Sequence, residues 1–171
     1  MDSVDADAGS DDRPPPPRGR VSLPLVLGTA AVVLAIDQLT KWWALERLQT
    51  ETIDVIWTLR FNLTFNEGAA FSFGGDGYGP FIGIAALVVV GVLLWTGRQF
   101  QSKLGAFALG LVLGGALGNL ADRAFRGDGL FDGAVVDFID VQWWPVWNVA
   151  DMGVVVGAIL LAYVGIFREP G

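Results

Sequence analysis

The stretch WNVADMGVVVGAILLAYVGIF, residues 147–167, decides the fold, because Asp151 is followed in it by sixteen residues without a charge. A helix needs about 20 mostly apolar residues to cross a bilayer, and this run supplies them. Three other segments meet the same test: Leu23–Ala44, Gly79–Gly97 and Leu104–Ala121. Six of the tryptophans, at positions 42, 43, 95, 143, 144 and 147, fall near the ends of these runs, as an interfacial aromatic belt requires. The whole chain agrees, being 53% hydrophobic with a mean hydropathy of +0.50, too apolar for an ordinary soluble domain. The expected fold is an all-α, four-transmembrane-helix bundle forming one membrane-embedded domain over residues 21–168.

Two regions depart from that pattern. Residues 1–20 are acidic and then proline-rich, hold five of the acids within the first twelve positions, and are expected to form a disordered cytoplasmic tail. Arg18 and Arg20 before an apolar run imitate a secretory signal. No small-residue cleavage site follows, however, so the run is expected to be an uncleaved first span. Between the first two spans lies TIDVIWTLRFNLTFN, residues 52–66, where Ile53, Val55, Trp57, Leu59, Phe61, Leu63 and Phe65 alternate with mostly polar residues. Period two predicts a small β-like segment of one or two antiparallel strands outside the membrane.

Basic residues set the orientation. Arg13, Arg18, Arg20, Arg98, Lys103 and Arg168 fall on one side, against Lys41, Arg47, Arg60, Arg123 and Arg126 on the other. The excess is small, but the short loop carrying Arg98 and Lys103 favours both termini in the cytoplasm.

What is absent narrows the chemistry. The chain has no cysteine and no histidine, which removes thiol nucleophiles, disulfides, the serine–histidine pair and the usual zinc ligands. No basic patch with interleaved aromatics points to nucleic acid. Hydrolysis near neutral pH would fall to carboxylates or a lysine.

The polar residues inside the spans gather at one end of the alternating topology. Asp37 and Lys41 are four apart, Asn119 and Arg123 are four apart, and Asn148 and Asp151 are three apart, so each pair shares a helix face. Ionisable groups in spans are costly and mark function. Plainer readings stand beside this one: a helix-end salt bridge for Asp37–Lys41, a dipole-favoured C-terminal arginine at 123, and an N-cap at Asn148. The glycines at 110, 114, 118, 153 and 157 suit helix contact. Asp137 lies in the apolar run GAVVDFIDV, whereas Asp140 reads as an ordinary loop acid. Two carboxylates held close share a proton, so one can activate water while the other donates. Asp137 and Asp151 are fourteen residues apart, and a return through VQWWP could bring them together.

DQLTK at 37–41, NEGAAFS at 66–72, GGALGNLADR at 114–123, VVDFI at 135–139 and WNVAD at 147–151 together resemble bacterial lipoprotein signal peptidase, also called signal peptidase II. The resemblance implies a membrane aspartic endopeptidase that cuts a prolipoprotein signal peptide before a diacylglyceryl-bearing cysteine. It implies Asp137 and Asp151 as the catalytic pair. Asp37, Lys41, Asn66, Gly68, Asn119, Asp122, Arg123 and Asn148 would support that pair or line the substrate site. It implies no metal and no cofactor, a monomer working among membrane lipids, and an active site at the outer face of the bacterial inner membrane. Residues 52–66 and NEGAAF would wall the substrate site. Three rivals differ in chemistry: a Ser72–Lys41 dyad, a small transporter, and a metal-dependent phosphotransferase using Asp128, Asp132, Asp137 and Asp140.

Overall fold

The computed structural model describes residues 22–67, 91, 102–129 and 131–167. The acidic tail, Gly68, Ser72 and the apolar segment 79–97 apart from Gly91 lie outside these residues. Among the described residues, three helices are long and apolar enough to cross a membrane: α1 (Leu23–Arg47), α2 (Lys103–Phe125) and α3 (Val149–Phe167). Pro24 in the first turn starts α1, where its missing N–H costs nothing. Ser102 caps α2 by accepting the Gly105 amide at 3.0 Å. The α1 helix runs three residues and the α2 helix four residues past the predicted apolar runs.

α2 is the central helix, buried over 61% of its apolar stretch against 22% for each of the other two. Small residues let its neighbours approach. Gly110 lies against Val26 and Thr29, Gly114 against Ala30 and Val33, and Gly118 against Asp37. The contacts climb both helices in the same sense, so α1 and α2 are parallel. On its other face Gly115 meets Ala150, Leu111 meets Gly153, and Ala108 meets Gly157, so α3 runs antiparallel to both. The C-terminal ends of α1 and α2 therefore share one side of the bundle with the start of α3.

A three-stranded antiparallel sheet, order β1-β2-β3, sits at that end: β1 (Ile53–Ile56), β2 (Leu59–Asn66) and β3 (Val135–Asp140). Ile53, Phe61 and Leu63 pack with Phe138 and Ile139 over Trp43, Ala44 and Leu48 of α1 and its end. Trp43 packs edge-on against Phe61 at 5.4 Å between ring centroids. The third strand is a departure from the sequence reading. Val135–Val136–Asp137–Phe138 is buried throughout and so shows no alternation. Asp140, expected in a loop, lies on β3 only 4% exposed and is paired with Arg60 at 2.7 Å.

Candidate active site

Lys41 is the hub. It is fully buried, and its ammonium donates to Asp37 Oδ2 at 2.9 Å, Asp122 Oδ2 at 2.8 Å and Asn119 Oδ1 at 2.9 Å. Three donors meet three acceptors, leaving Lys41 no free lone pair to act as a base. A helix-end salt bridge is thus too small a description of Asp37–Lys41, since the pair is a buried junction that reaches a second helix.

Each acid at the junction grips backbone elsewhere. Asp37 Oδ1 accepts the Ala150 amide at 2.9 Å, in the first turn of α3 and one residue before Asp151. Asp122 Oδ2 accepts the Val136 amide at 3.1 Å, one residue before Asp137. Its other oxygen accepts from Arg126 Nε at 2.8 Å and Gln38 Nε2 at 3.2 Å. One cation therefore ties together the two acids that hold the chain just ahead of Asp137 and just ahead of Asp151.

The amides carry this order onward. Because Lys41 can only donate, the Asn119 oxygen must face it, which turns Asn119 Nδ2 toward Asp151 Oδ1 at 2.7 Å. Asn148 and Asp151 form a reciprocal cap: Asn148 Oδ1 accepts the Asp151 amide at 2.9 Å, and Asp151 Oδ2 accepts the Asn148 amide at 3.2 Å. With its oxygen so used, Asn148 Nδ2 donates to Asp137 Oδ1 at 2.6 Å and to Asn119 Oδ1 at 3.0 Å. Asn66 Nδ2, at the end of β2, donates to Asp137 Oδ2 at 3.1 Å. Asn148 thus bonds both Asp137 and Asp151. The turn between β3 and α3 makes this possible, for Trp147 pairs with Ile139 and its carbonyl accepts the Phe138 amide at 3.0 Å.

Asp137 is 2% exposed. Burial, and then the neighbouring charge of Asp151, pushes its carboxyl from 3.8 up to about 6. Arg123 lies within electrostatic range of Asp137 and Asp122 and donates weakly to the Gly133 carbonyl at 3.5 Å. A cleft of about 320 Å³, bordered by Thr64 to Glu67, Pro145 and Val146, opens onto Asp137.

The candidate positions within the described residues converge here. Gln38 was not singled out from sequence, yet its side-chain amide also reaches Asp37 Oδ2 and the Gly118 carbonyl, at 3.1 and 3.2 Å. Its place inside DQLTK was the available signal. The acids proposed for metal chemistry do not converge: Asp132 accepts the Gly129 amide, Asp140 pairs with Arg60, and Asp137 is held by asparagines. Among the described residues, no three acids form a metal cage.

The junction leaves no slack at Gly118. A methyl there would lie 2.5 Å from Asp37 Oδ2, an oxygen already fixed by Lys41 and Gln38. Gly118→Ala is expected to destabilise the protein by about 1–3 kcal/mol, seen as a lower thermal unfolding midpoint in detergent. An unchanged midpoint would show that Asp37 can move aside.

A multi-pass membrane enzyme is the class that these features define. The sequence profile of signal peptidase (SPase) II matches residues 29–167. A lipoprotein signal peptidase of Mycobacterium tuberculosis (strain ATCC 25618 / H37Rv) is 45% identical over 162 residues, covering 94% of this chain and 78% of that one. One from Mycobacterium avium (strain 104) is 46% identical over 158 residues, covering 91% and 84%. A solved structure described as a bacterial membrane enzyme superposes with a TM-score of 0.75 at 24% identity, covering 89% of this chain and 99% of that one. The chain belongs to the signal peptidase II family, and it is therefore a hydrolase, an aspartic peptidase.

Proposed function

We propose that this enzyme removes the signal peptide from diacylglyceryl-modified prolipoproteins, cutting before the lipidated cysteine, with Asp137 and Asp151 as the water-activating pair. One observation carries this reading: a single buried residue, Asn148, donates to both carboxylates, its side chain to Asp137 and its backbone N–H to Asp151, beside a cleft that opens onto Asp137. The chemistry follows from their surroundings. Asp151 takes a proton from water as its oxygen attacks the scissile carbonyl, while Asp137 gives its own proton to the carbonyl oxygen. When the tetrahedral diol collapses, the C–N bond breaks, the amine leaves with the proton from Asp151, and a hydroxyl proton returns to Asp137. Asn119 and Asn148 hold the pair, and Asp37, Lys41, Asp122 and Gln38 hold the backbone on which the pair is mounted. Asn66 and Gly68 border the substrate, and Arg123 offsets negative charge near Asp137.

Four spans fit this arrangement. Parallel α1 and α2 can both cross a bilayer only if the intervening chain crosses once more, and residues 79–97 are the apolar run between them. The start of α1 and the end of α3 then share a side, which the basic residues make cytoplasmic, and the site faces outward in the bacterial inner membrane. There the substrate's lipid stays in the leaflet while its peptide enters the cleft. The described residues of one chain complete the polar network, so we take a monomer to be the working unit. A transporter would need polar groups along a path to both sides. Residues 23–36, 104–118 and 152–167 instead carry no charge.

The test is reconstitution of the purified protein in liposomes with a diacylglyceryl-modified prolipoprotein, read by gel shift. Cleavage of the lipidated precursor, none of its unlipidated form, and no effect of a chelator are expected. Loss of activity with a chelator, or equal cleavage of both precursors, would overturn the reading.

The pH dependence has a definite sign. Native Asp137, with its carboxyl pushed up to about 6, keeps a proton that the unfolded chain loses near 3.8. The native state therefore loses stability as pH rises from about 4 to about 6, and the proton needed for donation is lost across the same upper limit. kcat/KM is expected to fall as pH rises through about 6, approaching tenfold per pH unit. The fall in kcat comes at higher pH, because bound substrate excludes water and further favours the neutral acid. A flat kcat/KM from about pH 5 to about pH 8 would contradict this assignment.

A further inference from the structure

The far rim of the sheet carries side chains that the peptidase reading does not use. At the β1–β2 reversal, Ile56 is 72% and Trp57 93% exposed. In the loop after β3, Trp143 is 71% and Trp144 60% exposed. No charged residue occurs in 55–59 or in 141–147.

The two loops form one unit. Gln142 Nε2 donates to the Thr58 carbonyl at 3.0 Å, the Gln142 amide donates to Asp140 Oδ1 at 2.6 Å, and Arg60 binds the other Asp140 oxygen at 2.7 Å. Trp57 has φ 51°, a left-handed conformation that turns normally give to glycine, asparagine or aspartate. The chain accepts that strain and spends the position on an indole aimed away from the fold.

What covers the rim follows from where the sheet rests. Its apolar face lies on the C-terminal end of α1 and on Val149 at the start of α3, the level at which these helices leave the bilayer. Trp42, beside the Trp43 that supports the sheet, is 62% exposed on the outside of α1. Val55 on β1 and Phe65 on β2 add to the exposed apolar surface of the sheet, at 48% and 55% exposed. An exposed rim without charge and rich in tryptophan, on a sheet seated at the end of α1, matches the headgroup–acyl boundary of a bilayer.

We propose that Ile56, Trp57, Trp143 and Trp144 insert into the lipid headgroup–acyl boundary of the leaflet beneath the sheet and fix its height above the membrane. The strands carrying Asn66 and Asp137 are thereby held level with the bilayer surface. This inference rests on the helices spanning a membrane and not on which bond is cut.

The absence of cysteine makes the test direct. In the full chain, Trp57→Cys, Trp144→Cys and, as a control, Glu51→Cys each provide one thiol for a nitroxide label. Labelled protein is reconstituted in liposomes of phosphatidylethanolamine and phosphatidylglycerol, and collision rates with oxygen and with a water-soluble nickel chelate are compared. Labels at 57 and 144 should favour oxygen, giving a positive logarithm of the oxygen-to-nickel ratio, while the label at 51 gives a negative one. Negative values at 57 and 144 would overturn the proposal. Spin–spin broadening that vanishes on dilution with unlabelled protein would also overturn it, by showing that a second copy covers the rim.

Discussion

Replacing either Asp137 or Asp151 with asparagine is expected to lower kcat for prolipoprotein cleavage about a thousandfold, with little change in KM. The amide has nearly the carboxylate's shape, so the cleft keeps its form. It can neither take a proton from water nor return one to the leaving amine. At each position both carboxylate oxygens accept an N–H: Asp137 from Asn148 and Asn66, Asp151 from Asn119 and the Asn148 backbone. An asparagine can accept only one of the two, and the lost contact costs about 1–2 kcal/mol of stability. Thermal unfolding in detergent therefore has to accompany the kinetics, to separate a folded, inactive enzyme from an unfolded one. Because the two acids act as a unit, the double variant should fall no further than the worse single variant. A single variant within tenfold of wild type, or a double variant in which the two losses multiply, would show that the acids do not share the reaction.

The sequence carried some of this plainly and concealed the rest. The three described helices were legible because lipid-facing helices need long apolar runs, and the β1–β2 hairpin because one face is apolar and the other polar. β3 was not legible. It is buried on both sides, so its residues give no period, and Asp137 could only be noted as an acid in an apolar run. Local spacing showed that Lys41 lies one turn from Asp37. It could not show that Lys41 also meets Asp122, since that contact depends on how closely glycines let α1 approach α2. For the same reason Asp140 looked like a loop acid: its partner Arg60 comes from a strand eighty residues away. The described residues of the family motifs gather in this network, but the motifs did not reveal the physical relation among them. Asp37 and Asp122 act on backbone amides, and the asparagines transmit the direction of Lys41's hydrogen bonds.

That relation makes Lys41→Met the most disruptive substitution expected outside the proposed pair. Methionine fills much of the same volume but removes the only charge that bonds both Asp37 and Asp122. Asp37 keeps Gln38 and the Ala150 amide, and Asp122 keeps Arg126, Gln38 and the Val136 amide, but among the described residues no other cation bonds Asp37, and the Arg126 that bonds Asp122 is partly exposed. Breaking a buried ion pair from one side costs about 3–5 kcal/mol, a large share of the stability of a small domain, and cleavage should fall with the folded fraction. The triple variant Asp37→Asn/Lys41→Met/Asp122→Asn distinguishes charge from positioning. Its neutral side chains can still accept the Ala150 and Val136 amides, so most of the unfolding midpoint should return. Activity should return only in part, because the Asn119 oxygen then keeps the Asn148 side-chain donor alone, and whenever the amide flips it turns that oxygen toward the Asp151 carboxylate. Wild-type melting and wild-type kcat in the single variant would refute the junction's role, and full activity in the triple variant would reduce that role to charge balance alone.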